Sequence, residues 1–475
     1  MPANYNWYKL DNAAIIMPST TQGADTRVFR ICCELKEEVD PEILQKALDL
    51  TIAEFPHFNV ILRKGLFWYY LDEIDAHPLV TEDNKPACAP LYYPGRRNLL
   101  YRVNYFGKRI NLEMFHVLAD GTGGFTFFKK IVMHYLSIAH DLPIPEDAEE
   151  SSSATEKNGD AFRRFYSKDK NKVQWKTLGD IKAYQIKQVR DDNMQNHLLE
   201  GTVSAGKFIE LSHVYETTAG ILSVAIFIEA VVKSMSVREM HARPVCISVP
   251  VNLRQYYPSE TTRNFFGVIS VHFKATDYDG TLESILPAVK QSFAEQLTEE
   301  NIRYTMNGYS DLVHNPAIKL VPLFIKDLFI GYFTSRSRRG TTGTMSNLGR
   351  IRMPENMEPY IDRFSPFMSS HNVQICVSTF GDKMVFGALS AYVEHRVLIN
   401  FFRRLEELGM DVELGTNDYD AEPAGQDGVF AGTDPKSTGQ GKRDKKAEKA
   451  AKKAAKKAKK AERKAAKQAA GKAKK

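Results

Sequence analysis

Arg109-Ile110-Asn111-Leu112-Glu113-Met114-Phe115-His116-Val117-Leu118-Ala119-Asp120-Gly121-Thr122-Gly123-Gly124 is the stretch whose reading decides the fold. Ile110, Leu112, Met114 and His116 share strand parity, so an extended chain carries the imidazole to the same side as three apolar side chains. His116 is therefore expected to face the interior at the end of a strand. After the glycine-rich turn, Phe125, Phe128, Ile131, Val132, Tyr135 and Leu136 recur at helical spacing. The pattern is strand, turn, helix, with His-x-x-x-Asp-Gly at the junction.

Upstream, Arg27–Leu35 reads as a strand. Asp40-Pro41 then opens a helix that Pro56 closes near Phe55, the aspartate capping and the proline filling the first turn. Phe58–Arg63 and Leu66–Leu71 are predicted as a hairpin about Lys64-Gly65, and Leu99–Phe106 with Arg109–His116 as a second. Residues 146–172, rich in Ser and Glu, are expected to form a mobile linker or surface excursion.

Downstream, Thr217 or Thr218 caps an apolar helix, Ala219–Met235, before a buried strand, Pro244–Val251, that runs into Asn252-Leu253-Arg254. Phe266–Phe273 is a further strand and Leu282–Leu297 a helix. Asn372–Phe380 and Lys383–Leu389 make a hairpin about Gly381-Asp382, followed by a helix, Glu394–Leu408. Both halves run helix, strands, helix, which predicts two related α/β layers.

The chain has 475 residues, 43% hydrophobic and 26% charged, which places it among globular proteins with room for two domains and excludes small disulfide scaffolds and collagen-like chains. The net charge of +6 hides a division: residues 442–475 hold 17 Lys and Arg against 3 acidic groups, and residues 1–441 carry a balance of −8. That Lys/Ala tract has no large apolar side chain, so it is expected to be disordered, with partial helix at most. Its use is open between a solvated appendage and an anchor to nucleic acid, anionic lipid or another acidic partner.

The five cysteines form no CxxC pair, so neither zinc nor a disulfide framework is expected, and no carboxylate spacing completes a metal site around His134 and His140. A polar and aromatic Met1–Leu10 predicts no secretory leader, and a reducing, cytoplasmic setting is expected. Ile221–Val232 and Leu320–Phe333 are the most apolar segments. The first is too short to span a bilayer and the second is interrupted by Pro322, Lys326 and Asp327, so both read as buried or amphipathic core helices.

Phe115-His116-Val117-Leu118-Ala119-Asp120-Gly121 resembles the HHxxxDG motif of the CoA-dependent acyltransferase superfamily. That group includes chloramphenicol acetyltransferase, nonribosomal peptide condensation domains, plant BAHD acyltransferases and alcohol O-acetyltransferases. Phe115 replaces the first histidine. Further resemblances are Val249-Pro250-Val251-Asn252-Leu253-Arg254, Asn264-Phe265-Phe266-Gly267 and Thr344-Met345-Ser346-Asn347-Leu348-Gly349, the last similar to a Ser-Asn-x-Gly loop of alcohol acetyltransferase-like members. The resemblance covers roughly residues 1–415 and implies two chloramphenicol-acetyltransferase-like lobes with mixed sheets flanked by helices. The expected lobes are residues 1–175 and 176–415, and residues 416–475 are linker and tail.

The resemblance implies direct transfer from acyl-CoA, a co-substrate with no bound cofactor, to an alcohol or amine. His116 is the expected general base, and an imidazole suits that task near neutral pH. Asp120 is expected to pair with Arg254 and hold the turn, Gly121 to allow close backbone approach or unusual dihedrals, and Ser346 or Asn347 to meet the oxyanion. Two other readings stay open: condensation with a carrier-protein-bound donor, and a non-catalytic binding protein tethered by its basic tail.

Overall fold

The computed structural model describes residues 6–145, 154–166, 182–314 and 320–417. Its first half contributes strands β1 (Trp7–Lys9), β2 (Val28–Leu35), β3 (Val60–Lys64), β4 (Tyr69–Glu73), β5 (Thr81–Glu82), β6 (Tyr101–Phe106) and β7 (Arg109–Phe115). The second half contributes β8 (His197–Ser204), β9 (Val245–Asn252), β10 (Phe266–Phe273), β11 (Gly343–Arg350), β12 (Ile361–Met368), β13 (Val373–Phe380), β14 (Lys383–Ser390) and β15 (Glu413–Thr416). They form mixed sheets in the orders β12-β2-β7-β6-β5 and β10-β9-β11-β13-β14-β8-β15, with a small sheet β1-β4-β3.

Each large sheet is covered by helices whose apolar stripes match its inner face. Leu44, Ala47, Leu48 and Thr51 of the helix Pro41–Glu54 and Phe127, Phe128, Ile131 and Val132 of the helix Gly121–His140 are buried in the first core. Ala219–Val232 is buried almost all round in the second, beside Val397, Leu398, Phe401 and Leu405 of Arg396–Glu407. Full burial of such side chains stabilises by about 1.5–3 kcal/mol each before chain entropy is counted.

The helix starts lie where the polar side chains call for them. Asp40 Oδ1 accepts the Glu42 and Ile43 amides, and Thr218, not Thr217, accepts the Ile221 amide. The first hairpin differs from expectation: β3 ends at Lys64, the Gly65 amide meets the Trp68 carbonyl at 3.0 Å, and Leu66 and Phe67 sit in the turn. Tertiary contacts explain this, because the Leu66 carbonyl accepts the Leu323 amide and the Phe67 carbonyl accepts Lys326 Nζ.

Three strands escape a periodicity reading. β12 carries Asp362, Arg363 and Pro366, yet it is an edge strand, where a missing N–H is tolerated. It pairs antiparallel with β2, Phe364 opposite Cys33, so a strand from the second half completes the sheet of the first. β8 pairs with β14 and β15, and Ser346-Asn347 lies within β11 where a loop was expected.

Two segments behave differently from their reading. Within the expected excursion at 146–172, residues 154–166 form two short helices, and Phe162 is fully buried against Phe265 at a ring distance of 5.2 Å. The rest of that excursion and the Lys/Ala tract lie outside the described residues. Leu320–Phe333 is not a core helix: in the helix Leu323–Arg338 only Leu323 and Lys326 are buried.

Candidate functional site

β7 delivers His116 to the junction between the sheets, and the His116 amide is held by the Arg27 carbonyl at 2.9 Å. Four residues on, Asp120 caps the helix Gly121–His140, its Oδ1 accepting the Gly123 amide at 2.9 Å. Its Oδ2 accepts Arg254 Nη1 and the Phe265 amide, each at 2.8 Å. The carboxylate is thus consumed by the turn and by the second half of the chain, and it makes no hydrogen bond to His116. Arg254 also donates to the Thr261 and Arg263 carbonyls, so the segment 261–265 is strapped to the motif turn.

The tight approach expected at Gly121 falls two residues later. A Cβ on Gly121 would sit 3.1 Å from the movable end of Leu348. On Gly123 it would lie 1.8 Å from the Thr262 carbonyl oxygen, and on Gly124 2.5 Å from the Phe29 ring. Gly123 thus admits a second backbone and Gly124 an aromatic ring.

Asn264, legible in the sequence only within the Asn264-Phe265-Phe266-Gly267 resemblance and given no role there, is the residue that positions the imidazole. Its amide nitrogen gives one hydrogen to Asp11 Oδ2 and one to the His116 carbonyl, both at 3.0 Å. That assignment turns Oδ1 toward the ring, 2.8 Å from His116 Nδ1. An amide oxygen only accepts, so Nδ1 carries the proton and Nε2 keeps its lone pair, with no hydrogen-bond partner among the described residues. The Asn-Phe-x-Gly resemblance was the one sequence signal that pointed here.

Burial lowers the His116 pKa from its ordinary value, an effect that the Asp120 charge partly opposes. Phe29 and Phe266 flank the ring at 5.5 and 5.6 Å. Asp11, fully buried, is pushed up to about 6 by desolvation, while its hydrogen bonds from Asn264 and the Ala14 amide pull the other way.

His116 opens onto a cavity of about 420 Å³. Strand parity builds its far wall: Ser248, Pro250 and Asn252 of β9, Phe266 and Val268 of β10, Thr344 and Ser346 of β11 and Gln374 of β13 face it. Their odd-numbered neighbours Ile247, Val249, Ile269, Met345 and Ile375 enter the second core. Asp120, Gly121, Ser346 and Asn347 all line this cavity with His116, and Arg254 stands behind it. Asn347 Oδ1 already accepts the Gly349 amide at 2.8 Å, whereas the Ser346 hydroxyl has no partner among the described residues. A larger cleft, about 1140 Å³ and walled by Trp7, Tyr8, Trp68 and Tyr70, does not include His116.

This arrangement, a neutral imidazole with a free nitrogen in a cavity walled by second-half strands and closed by the motif turn and the segment before β2, sits on the two-lobed chloramphenicol-acetyltransferase-like fold. The chain superposes on TRI3 trichothecene 15-O-acetyltransferase from Fusarium sporotrichioides with a TM-score of 0.59 and 10% identity, covering 86% of this chain and 97% of that one. For F. graminearum TRI101 complexed with coenzyme A and deoxynivalenol the TM-score is 0.58 at 11% identity, with 86% and 99% covered. For the first condensation domain of the CDA synthetase it is 0.53 at 13%, with 85% and 96% covered. At these identities the likeness concerns the fold. No protein-family model matches the chain, and no curated sequence is significantly similar to it.

Proposed function

We propose that this protein transfers an acyl group from acyl-CoA to a hydroxyl, or an amine, by direct attack, with His116 as general base. The observation that carries the reading is the Asn264-imposed tautomer, which presents an unprotonated Nε2 to a cavity. Nε2 takes the proton of the acceptor as its oxygen or nitrogen bonds to the thioester carbon. The tetrahedral oxyanion then collapses, the C–S bond breaks, and the imidazolium returns the proton to the departing thiolate. A thiolate leaves readily, so no covalent enzyme intermediate is needed.

Ser346 is the better placed of the two oxyanion candidates, since its hydroxyl is uncommitted and Asn347 serves its own turn. Asp120 and Arg254 hold the turn that aims the imidazole. Residues 1–175 and 176–415 are proposed as the two lobes, joined by the exchanged β12. A coenzyme A donor fits the complexes solved for TRI101, and a carrier-bound donor is the alternative that the condensation-domain likeness supports.

The test is thiol release from a panel of acyl-CoAs and one acyl-carrier protein, with assorted alcohols and amines. His116→Ala is expected to lose about 10²–10⁴-fold in turnover; equal rates for parent and variant would overturn the mechanism.

A further inference from the structure

The helix Leu323–Arg338 is firmly docked by one face. Asp327 accepts Ser19 Oγ at 2.6 Å, Lys64 Nζ at 2.9 Å and the Tyr69 hydroxyl at 3.1 Å. Lys326 Nζ donates to the Phe67 carbonyl at 2.9 Å and lies 3.4 Å from the centre of the Trp68 ring. Its other face is apolar and open: Phe324, Leu328, Phe329, Tyr332 and Phe333 are 58–74% exposed, with Leu66 of the neighbouring turn at 70%. A helix pinned this way displays its stripe, and contiguous exposed apolar surface marks an interaction site.

Three observations select the occupant. The stripe ends in exposed Arg339, and residues 442–475 add a surplus of +14 to a chain otherwise at −8, so the available attraction is toward an anion-bearing surface. Nucleic acid would satisfy the tail but offers nothing to a row of Phe and Leu. An anionic lipid surface satisfies both, and stable interfacial binding takes two such signals. Finally, Thr334, Ser337 and Arg338, in the last turns of the same helix, line the His116 cavity.

We propose that the protein docks on anionic lipid surfaces through the exposed stripe of Leu323–Arg338 together with its basic tail, and that its acceptor is a lipophilic alcohol or amine taken from that surface. The docking claim stands on the stripe and the charge; the acceptor claim rests on the acyl-transfer reading above.

The full chain is pelleted with vesicles of phosphatidylcholine alone or mixed with phosphatidylglycerol, at low and high salt. Binding is expected only to the mixed vesicles and is expected to weaken with salt. Phe324→Ser/Leu328→Ser/Phe329→Ser should weaken partitioning at least about tenfold with an unchanged circular dichroism spectrum, and deletion of residues 436–475 should remove the salt-sensitive part. The triple variant should keep thiol release with a water-soluble short alcohol and lose it selectively with a long-chain alcohol held in the mixed vesicles. Equal pelleting of parent and triple variant, retention on a polynucleotide without vesicle binding, or a dimer that the substitutions dissolve without vesicle binding would each overturn the docking. Vesicle binding without thiol release from any donor would instead defeat the acyl-transfer reading and the acceptor claim with it.

Discussion

Asn264 Oδ1 meets His116 Nδ1 at 2.8 Å across a separation of 148 residues, and the same asparagine holds the His116 carbonyl. One side chain therefore sets the tautomer and the tilt of the imidazole. Asn264→Ala is expected to lower kcat by about 10–10²-fold with a smaller effect on KM, since the ring loses its orientation and not its proton affinity alone. Steady-state kinetics with the best acyl-CoA would check this, and an unchanged kcat would remove Asn264 from the site.

The pH profile follows from the burial of His116. Its pKa is lowered, so the neutral imidazole survives to a pH below the ordinary histidine value, and if it is the proposed base kcat/KM should fall only as pH drops through that lowered pKa. An acid limb centred above pH 6.5 would contradict this.

Asp11 has a folded pKa raised to about 6 from 3.8, so the folded state holds its proton more tightly than the unfolded chain. Its contribution to stability is present below 3.8 and is lost as pH rises through about 6. Denaturation midpoints across that window should show a downward slope with rising pH that is reduced in Asp11→Asn.

Asp120 and Arg254 are an inward ion pair with side chains 7% and 12% exposed. Arg254→Ala would leave the carboxylate without its cation and free the Thr261 and Arg263 carbonyls, and a loss of about 3–5 kcal/mol in urea unfolding is expected. Arg254→Lys should recover only part, because one ammonium cannot reproduce the guanidinium fork.

Gly123→Ala should be far more damaging than Gly121→Ala. The first drives a methyl into the Thr262 carbonyl, while the second meets only a leucine end that can move. Thermal melts of the two variants would rank them, and equal stability would refute the packing argument.

Ser346→Ala is expected to reduce kcat by about 10²-fold or more with KM nearly unchanged, as befits a donor used only in the transition state. The same substitution at Asn347, where the β11 register with β13 shifts between Asn347 and Gly349, should disturb that irregularity and have less effect on turnover.

The strand β7, the helix after it, the Asp40 cap, a cap at Thr217 or Thr218 and the His-x-x-x-Asp-Gly junction were legible in the sequence, because each depends on side chains a few residues apart. A period of two or of 3.6 and a capping oxygen are local facts that the chain carries wherever it is placed. By contrast, nothing local announces that Pro366 belongs to an edge strand of the other half's sheet, or that the stripe of Leu323–Arg338 is left open while Asp327 and Lys326 turn inward. The partnership of Asn264 with His116 on one side and Asp11 on the other was likewise settled only when β7 and the segment before β10 were brought side by side. The sequence by itself determined which residues could act as base, cap and strand; tertiary structure decided which of them meet, because hydrogen-bond geometry and burial exist only between groups that folding has made neighbours.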